Sequence, residues 1–211
     1  MEISKDKILR YEKWFIDNNY IFDSEVEVIR SLITPYRKGI EIGIGTGLFA
    51  SRFGILNGIE PSNYMAKKAI ERGINVINGY AENLPLTDND FDFVLMVTVD
   101  CFLSDLQKVF LEINRIIKSE GFFIIAFLDK STTLGKIYQE RKASNEFYKK
   151  ANFHSGTEIK NMLLKTGFNI VGMKQTVFNL LNEPQLIKNG IGEGLFAVIQ
   201  VEKSHLRKSI K

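Results

Sequence analysis

The sequence predicts an α/β fold, a doubly wound, seven-stranded, mostly parallel sheet with an antiparallel C-terminal edge strand, entered through an N-terminal helical segment. Three observations predict it. Between residues 35 and 129, short runs rich in β-branched and aromatic residues alternate with amphipathic segments, the pattern of strand and helix units in a parallel sheet. The first of these runs ends in a glycine-rich turn, Gly43-Ile44-Gly45-Thr46-Gly47, ahead of a helical stretch. Two late apolar runs are joined by a loop holding Pro184, Gly190, Gly192 and Gly194, which suits antiparallel pairing at the side of a parallel sheet.

The elements follow in order. Ile8, Tyr11, Trp14 and Phe15 recur at helical spacing, and Ser24 with Glu27 forms a capping-box pattern ahead of Val28, Ile29 and Leu32; Pro35 closes this region. Strands are expected at 39–44, 55–60, 75–78, 91–97 and 122–128. Helices are expected at 62–72, closed by Gly73, and at 105–118, where Leu106, Val109, Phe110, Ile113 and Ile117 share a face. A polar, helical stretch should run to about residue 150, followed by a helix at 156–166 and strands at 169–179 and 195–202. The expected organisation is one domain over residues 1–203, divided into a helical segment (1–34), a core (35–129) and a flanking region (130–203), with a basic tail at 204–211.

Composition narrows the function classes. With 45% hydrophobic and 25% charged residues the chain has the balance of a globular protein. Its longest apolar run, 122–128, is too short to span a bilayer and the chain opens on charges, so a cytoplasmic location is expected. The single cysteine, Cys101, excludes an internal disulfide. The net charge of +3 belongs to the C-terminal end: Lys203, Arg207, Lys208 and Lys211 face no acid there, so a broad cationic surface for nucleic acid is not expected.

The residues that carry chemistry cluster in the first half. Glu41 lies in the first strand run, ahead of Gly43, Ile44, Gly45, Thr46 and Gly47; glycines admit positive φ and let a ligand approach the backbone closely. Such a loop, at the carboxyl edge of a sheet, suits a nucleotide-like ligand. Glu60, followed by Pro61 and Ser62, ends the second run at the spacing of an acid that takes ribose hydroxyls. Leu48 stands where the nicotinamide fingerprint requires its third glycine. A third block reads Gly79-Tyr80-Ala81-Glu82-Asn83-Leu84-Pro85-Leu86, then Asp88, Asp90 and Phe91-Asp92-Phe93-Val94.

Taken together and in order over 41–129, these blocks closely resemble the class I S-adenosylmethionine-dependent methyltransferases, most of all small-molecule members similar to the ubiquinone and menaquinone C-methyltransferases. The resemblance implies a Rossmann-like fold, S-adenosylmethionine as cofactor with S-adenosylhomocysteine as product, and methyl transfer to a small-molecule acceptor by in-line displacement, driven mainly by proximity and orientation. It implies that the glycine loop faces the methionine portion, with Glu41 positioning its charged end, and that Glu60 holds the ribose. Ala81, with Glu82 and Asn83, would meet the adenine, and Thr98 and Val99 would line the methionine and sulfonium. In the family the N-terminal helices cover the cofactor, which would make Tyr11 and Trp14 walls of the site.

The chain departs from the family pattern at Tyr80, where many relatives have Asp, and at Cys101 and Phe102, where many have histidines. No residue stands out as a general base, and the catalytic set is left unassigned. His154 is expected to cap or pack, Cys101 to be a buried thiol, and Asp100 with Asp129 makes too small a donor set for magnesium. The acceptor pocket is expected between the N-terminal helices, Ser131, Leu134, Gly135 and Tyr138, and the loop at 192–194. A nicotinamide-dependent oxidoreductase, a non-catalytic adenosylmethionine-binding protein and an RNA or protein methyltransferase are the alternatives.

Overall fold

A computed structural model describes residues 4–204 of the chain. Two helices open it: α1 (Lys5–Asp17), capped by Ser4, and α2 (Asn19–Arg30). The capping box expected at Ser24 does not form, because Asn18 breaks the chain between the two helices and places Ser24 inside α2. There the Ser24 hydroxyl donates to the Tyr20 carbonyl (2.7 Å) and accepts from the Gln185 N–H (3.0 Å), while Glu27 pairs with Arg30.

The core then alternates: β1 (Gly39–Ile42), α3 (Leu48–Phe53), β2 (Asn57–Ile59), α4 (Asn63–Glu71), β3 (Asn75–Ile77), β4 (Phe91–Val97), α5 (Leu106–Ile116) and β5 (Ile117–Leu128). After it come α6 (Thr133–Arg141), α7 (Gly156–Lys165), β6 (Phe168–Thr176), the two-residue β7 (Lys188–Asn189) and β8 (Phe196–Lys203). Among the described residues the sheet has eight strands in the order β3-β2-β1-β4-β5-β8-β6-β7. From β3 to β5 all pairs are parallel, and β8 runs antiparallel to both β5 and β6. The antiparallel C-terminal strand is therefore slotted between β5 and β6 rather than lying at the edge, and the edge is taken by β7.

Period-two alternation sends successive side chains to opposite faces of the sheet. Phe93, Leu95 and Val97 of β4 join Phe122, Ile124 and Ala126 of β5 on the face covered by Val26, Ile29 and Phe49. Val94, Met96, Phe123 and Ile125 join Phe110 and Ile113 of α5 and Ile159 of α7 on the other. Helix α5 ends at Ile116, short of the expected 118, since Ile117 is fully buried as the first residue of β5 and pairs with Phe91. The run expected as strand to residue 179 stops at Thr176 because Val177 adopts φ 62°, which ends extended pairing. The predicted tail lies outside the described residues from position 205 onward.

Candidate active site

The strand order reverses between β1 and β4, and in open α/β sheets ligands settle outside the carboxyl ends of the strands at such a point. The glycine loop bends there. Gly43 and Ile44 both donate their N–H to the Ile59 carbonyl of β2 (2.9 and 3.0 Å). Gly43 (φ 69°) must lack a side chain, since a Cβ would sit 2.5 Å from a Val99 methyl. Gly45 (φ 56°) differs in kind: a Cβ there would meet no atom within 4 Å, so its α-carbon faces open space.

Glu60 fastens this bend. One carboxylate oxygen accepts the Gly45 N–H and the other the Ser62 N–H, each at 2.9 Å. Its pKa is raised by burial, against the lowering effect of those two N–H groups. Ser62 also caps α4, and the Pro61 carbonyl accepts from Asn78 (3.2 Å). Each Glu60 oxygen keeps lone-pair capacity for a further donor.

Glu41 is 2% exposed, and its Oε2 has no hydrogen-bond partner among the described residues; the buried Thr46 hydroxyl is in the same condition. Burial pushes the Glu41 carboxyl well above its usual range, opposed by the Ala50 N–H and reinforced by the charge of Glu60. Leaving such groups without partners costs free energy of about 1–3 kcal/mol each, so their persistence beside an open glycine fits a polar, cationic ligand. The methionine ammonium and ribose hydroxyls of S-adenosylmethionine are chemically suited to these donors and acceptors.

Past Thr98, held at φ 50° beyond the end of β4, lies a cavity of about 250 Å³. Tyr11 and Trp14 of α1 wall it together with Phe49, Tyr138, Phe147 and Tyr148. Burial, then the charges of Glu41, Glu25 and Glu60, raise the pKa of the Tyr11 hydroxyl. Of the expected acceptor-side residues, Tyr138 lines the cavity and Leu134 packs near it in the core. Ser131 instead bonds the Asp129 carboxylate, and Gly135 is pressed against the Asp129 backbone. The loop at 192–194 reaches the cavity only through its neighbour Leu195.

Other predicted residues are held by local contacts. Ala81 is buried, whereas the Glu82 carboxylate is engaged by the Ser104 N–H and hydroxyl (3.1 and 3.0 Å), and the Asn83 N–H closes a turn onto the Tyr80 carbonyl. Cys101 is buried, which drives its thiol pKa upward. Asp100 lies 2.9 Å from His154 Nδ1, while the Asp129 carboxylate accepts from the Ser131 N–H and hydroxyl. The cap of α7 is Ser155, in a capping box with Glu158, so His154 serves as the partner of Asp100.

Sequence reading missed Glu25. It lies on α2 inside an apolar stripe, four residues after Ile21 and four before Ile29, and projects into the cavity. A lone acid at a core-facing helical position was the signal that could have found it.

A family model described as a methyltransferase domain matches residues 40–125. An S-adenosylmethionine-dependent methyltransferase of Thermotoga maritima, described as a possible histamine N-methyltransferase, superposes with a TM-score of 0.90 at 40% identity, covering 93% of this chain and 96% of that one. The chain belongs to the S-adenosylmethionine-dependent methyltransferases. An uncharacterized protein of Methanocaldococcus jannaschii is 42% identical over 195 residues, covering 92% of this chain and 95% of the relative. Another, from Mycobacterium tuberculosis, is 30% identical over 209 residues, covering 92% and 72%. S-adenosylmethionine is accordingly the methyltransferase's cofactor, and among the described residues no helix is long and apolar enough to cross a membrane.

Proposed function

We propose that this methyltransferase passes the methyl group to a small-molecule acceptor lodged in the cavity beyond Thr98. The observation that carries this reading is an apolar cavity of about 250 Å³ under α1 and α2, lined by Thr98 just past β4 and by Phe49 of α3, the helix that follows the open glycine bend and its flanking acids Glu41 and Glu60. That volume is near the lower end of the range for small-molecule sites. In this reading Glu41, Thr46, Glu60, Ser62 and the 43–47 loop hold the cofactor, with Ala81 at the adenine and Val99 behind the loop. Thr98, Tyr11 and Trp14 form the boundary between cofactor and acceptor.

Bound S-adenosylmethionine supplies a methyl group already activated on a sulfonium. The protein's task is then to align the acceptor in line with that methyl and to exclude water, which helix α1 does by roofing the cavity with Tyr11, Trp14 and Phe15. The Thermotoga relative's description names an amine acceptor, which agrees with a metabolite-sized substrate. Calorimetric titration should give micromolar-range binding of S-adenosylhomocysteine and no binding of NAD. Incubation with deuteromethyl-labelled S-adenosylmethionine and a metabolite extract should then label small molecules. Absence of S-adenosylhomocysteine binding, or label confined to macromolecules, would overturn the proposal.

A further inference from the structure

Glu25 is 7% exposed, lines the cavity, and has no hydrogen bond or ion pair to the protein among the described residues. It lies on the acceptor side rather than the cofactor side. The residues that share its cavity include Leu128 at the end of β5, Val177 just after β6 and Leu195 just before β8, whereas the glycine loop stands over β1 and β2. Around it are the rings of Tyr11, Trp14, Phe15, Tyr138, Phe147 and Tyr148.

Burying a carboxyl without a partner is costly, and a well-packed apolar residue would fill the same position at lower free energy. The other acid at the cavity, Glu146, is satisfied by Arg10, with side-chain oxygens 2.8–3.2 Å from the guanidinium. Aromatic faces attract cations through their quadrupoles. An uncompensated acid inside an aromatic box is therefore matched by a ligand that brings one positive charge on an otherwise apolar body. Desolvation raises the Glu25 pKa to about 8, which places its proton within exchange range of a basic nitrogen.

We propose that Glu25 is the acceptor-binding residue of this methyltransferase, and that the acceptor is a small metabolite carrying a basic amine which pairs with the Glu25 carboxylate between the aromatic walls. The inference rests on the reading of the cavity as the acceptor site.

The test uses the full chain saturated with S-adenosylhomocysteine, reading the fluorescence of Trp14, the chain's single tryptophan, which lines the cavity. Three probes of like shape are titrated: phenethylamine, 2-phenylethanol and phenylacetate. Phenethylamine should bind at least tenfold tighter than either of the others, and the preference should vanish in Glu25→Gln and Glu25→Met, whose S-adenosylhomocysteine affinity stays at the wild-type value. Glu25→Met should also melt at a higher temperature, as expected when an unpaired buried acid is replaced by an apolar side chain of similar size. An amine that binds no tighter than the alcohol, or a preference that survives in both variants, overturns the proposal. Failure of the wild type to bind S-adenosylhomocysteine would instead strike the underlying reading of the site.

Discussion

Gly43 and Gly45 stand two residues apart with the same left-handed backbone, yet their surroundings give them different jobs. Gly43→Ala would drive a methyl into Val99 and should destabilise the fold by about 2–4 kcal/mol, seen as a lower urea midpoint. Gly45→Val meets no protein atom at its Cβ, so it should cost only the left-handed strain, about 1–2 kcal/mol, while weakening S-adenosylhomocysteine binding more than tenfold by calorimetry. Glu60→Ala should weaken the same binding, because it frees the N–H groups of Gly45 and Ser62 that shape the bend. Unchanged affinity in both of the last two variants would refute the assigned cofactor site.

Glu25 makes a pH prediction at the same scale. Tyr11 of α1, Tyr138 of α6, Tyr148 and the paired Glu146 face its cavity, and among the described residues no basic side chain lines it. The folded-state pKa of about 8 lies above the usual 4.5, so the folded protein holds a proton that the unfolded chain has released. Stability from this group is fully present below pH 4.5 and is lost as pH rises toward 8. Glu41 and Glu60 slope in the same sense, so the contribution of Glu25 is isolated by difference. Denaturation midpoints of wild type and Glu25→Gln should diverge with rising pH across that window, the variant being favoured at the alkaline end.

At the scale of elements, α1 walls the cavity with Tyr11, Trp14 and Phe15 and is tied down at two points. Glu12 pairs with Arg72 at 2.8 Å, and Arg72 in turn donates to the Thr46 carbonyl, which links the roof to the glycine loop. On the far side Arg10 pairs with Glu146 and Lys7 donates to the Glu146 carbonyl. The Arg10 and Glu146 side chains are substantially exposed, and such pairs contribute about 0–1 kcal/mol and weaken with salt. Arg10→Ala should therefore leave the melting temperature nearly unchanged while speeding release of S-adenosylhomocysteine several-fold in stopped-flow traces of Trp14 fluorescence. The wild-type release rate should approach the variant's as salt is raised.

Across the whole molecule, β8 holds the two halves of the sheet together by pairing antiparallel with β5 along seven residues and with β6 on its other side. Val198 feeds one core face and Ile199 the other, both fully buried. Ile199→Ala should cost about 2–5 kcal/mol in chemical denaturation while leaving S-adenosylhomocysteine affinity intact, since the glycine loop stands on the far side of β4 and β5.

The sequence by itself determined the alternating core, the Glu41-to-Gly47 loop, Glu60 and the family, because period-two and helical patterning, glycine placement and acid spacing are local properties of the chain. It overran boundaries where a tertiary partner or an unusual φ ended an element, as at Ile117 and Val177. The place of β8 inside the sheet, the engagement of Glu82 by Ser104 and the union of Glu25 with Tyr138 and Tyr148 around one cavity were decided only by the tertiary structure. Each depends on contacts between residues far apart in the chain, where neither propensity nor spacing carries information.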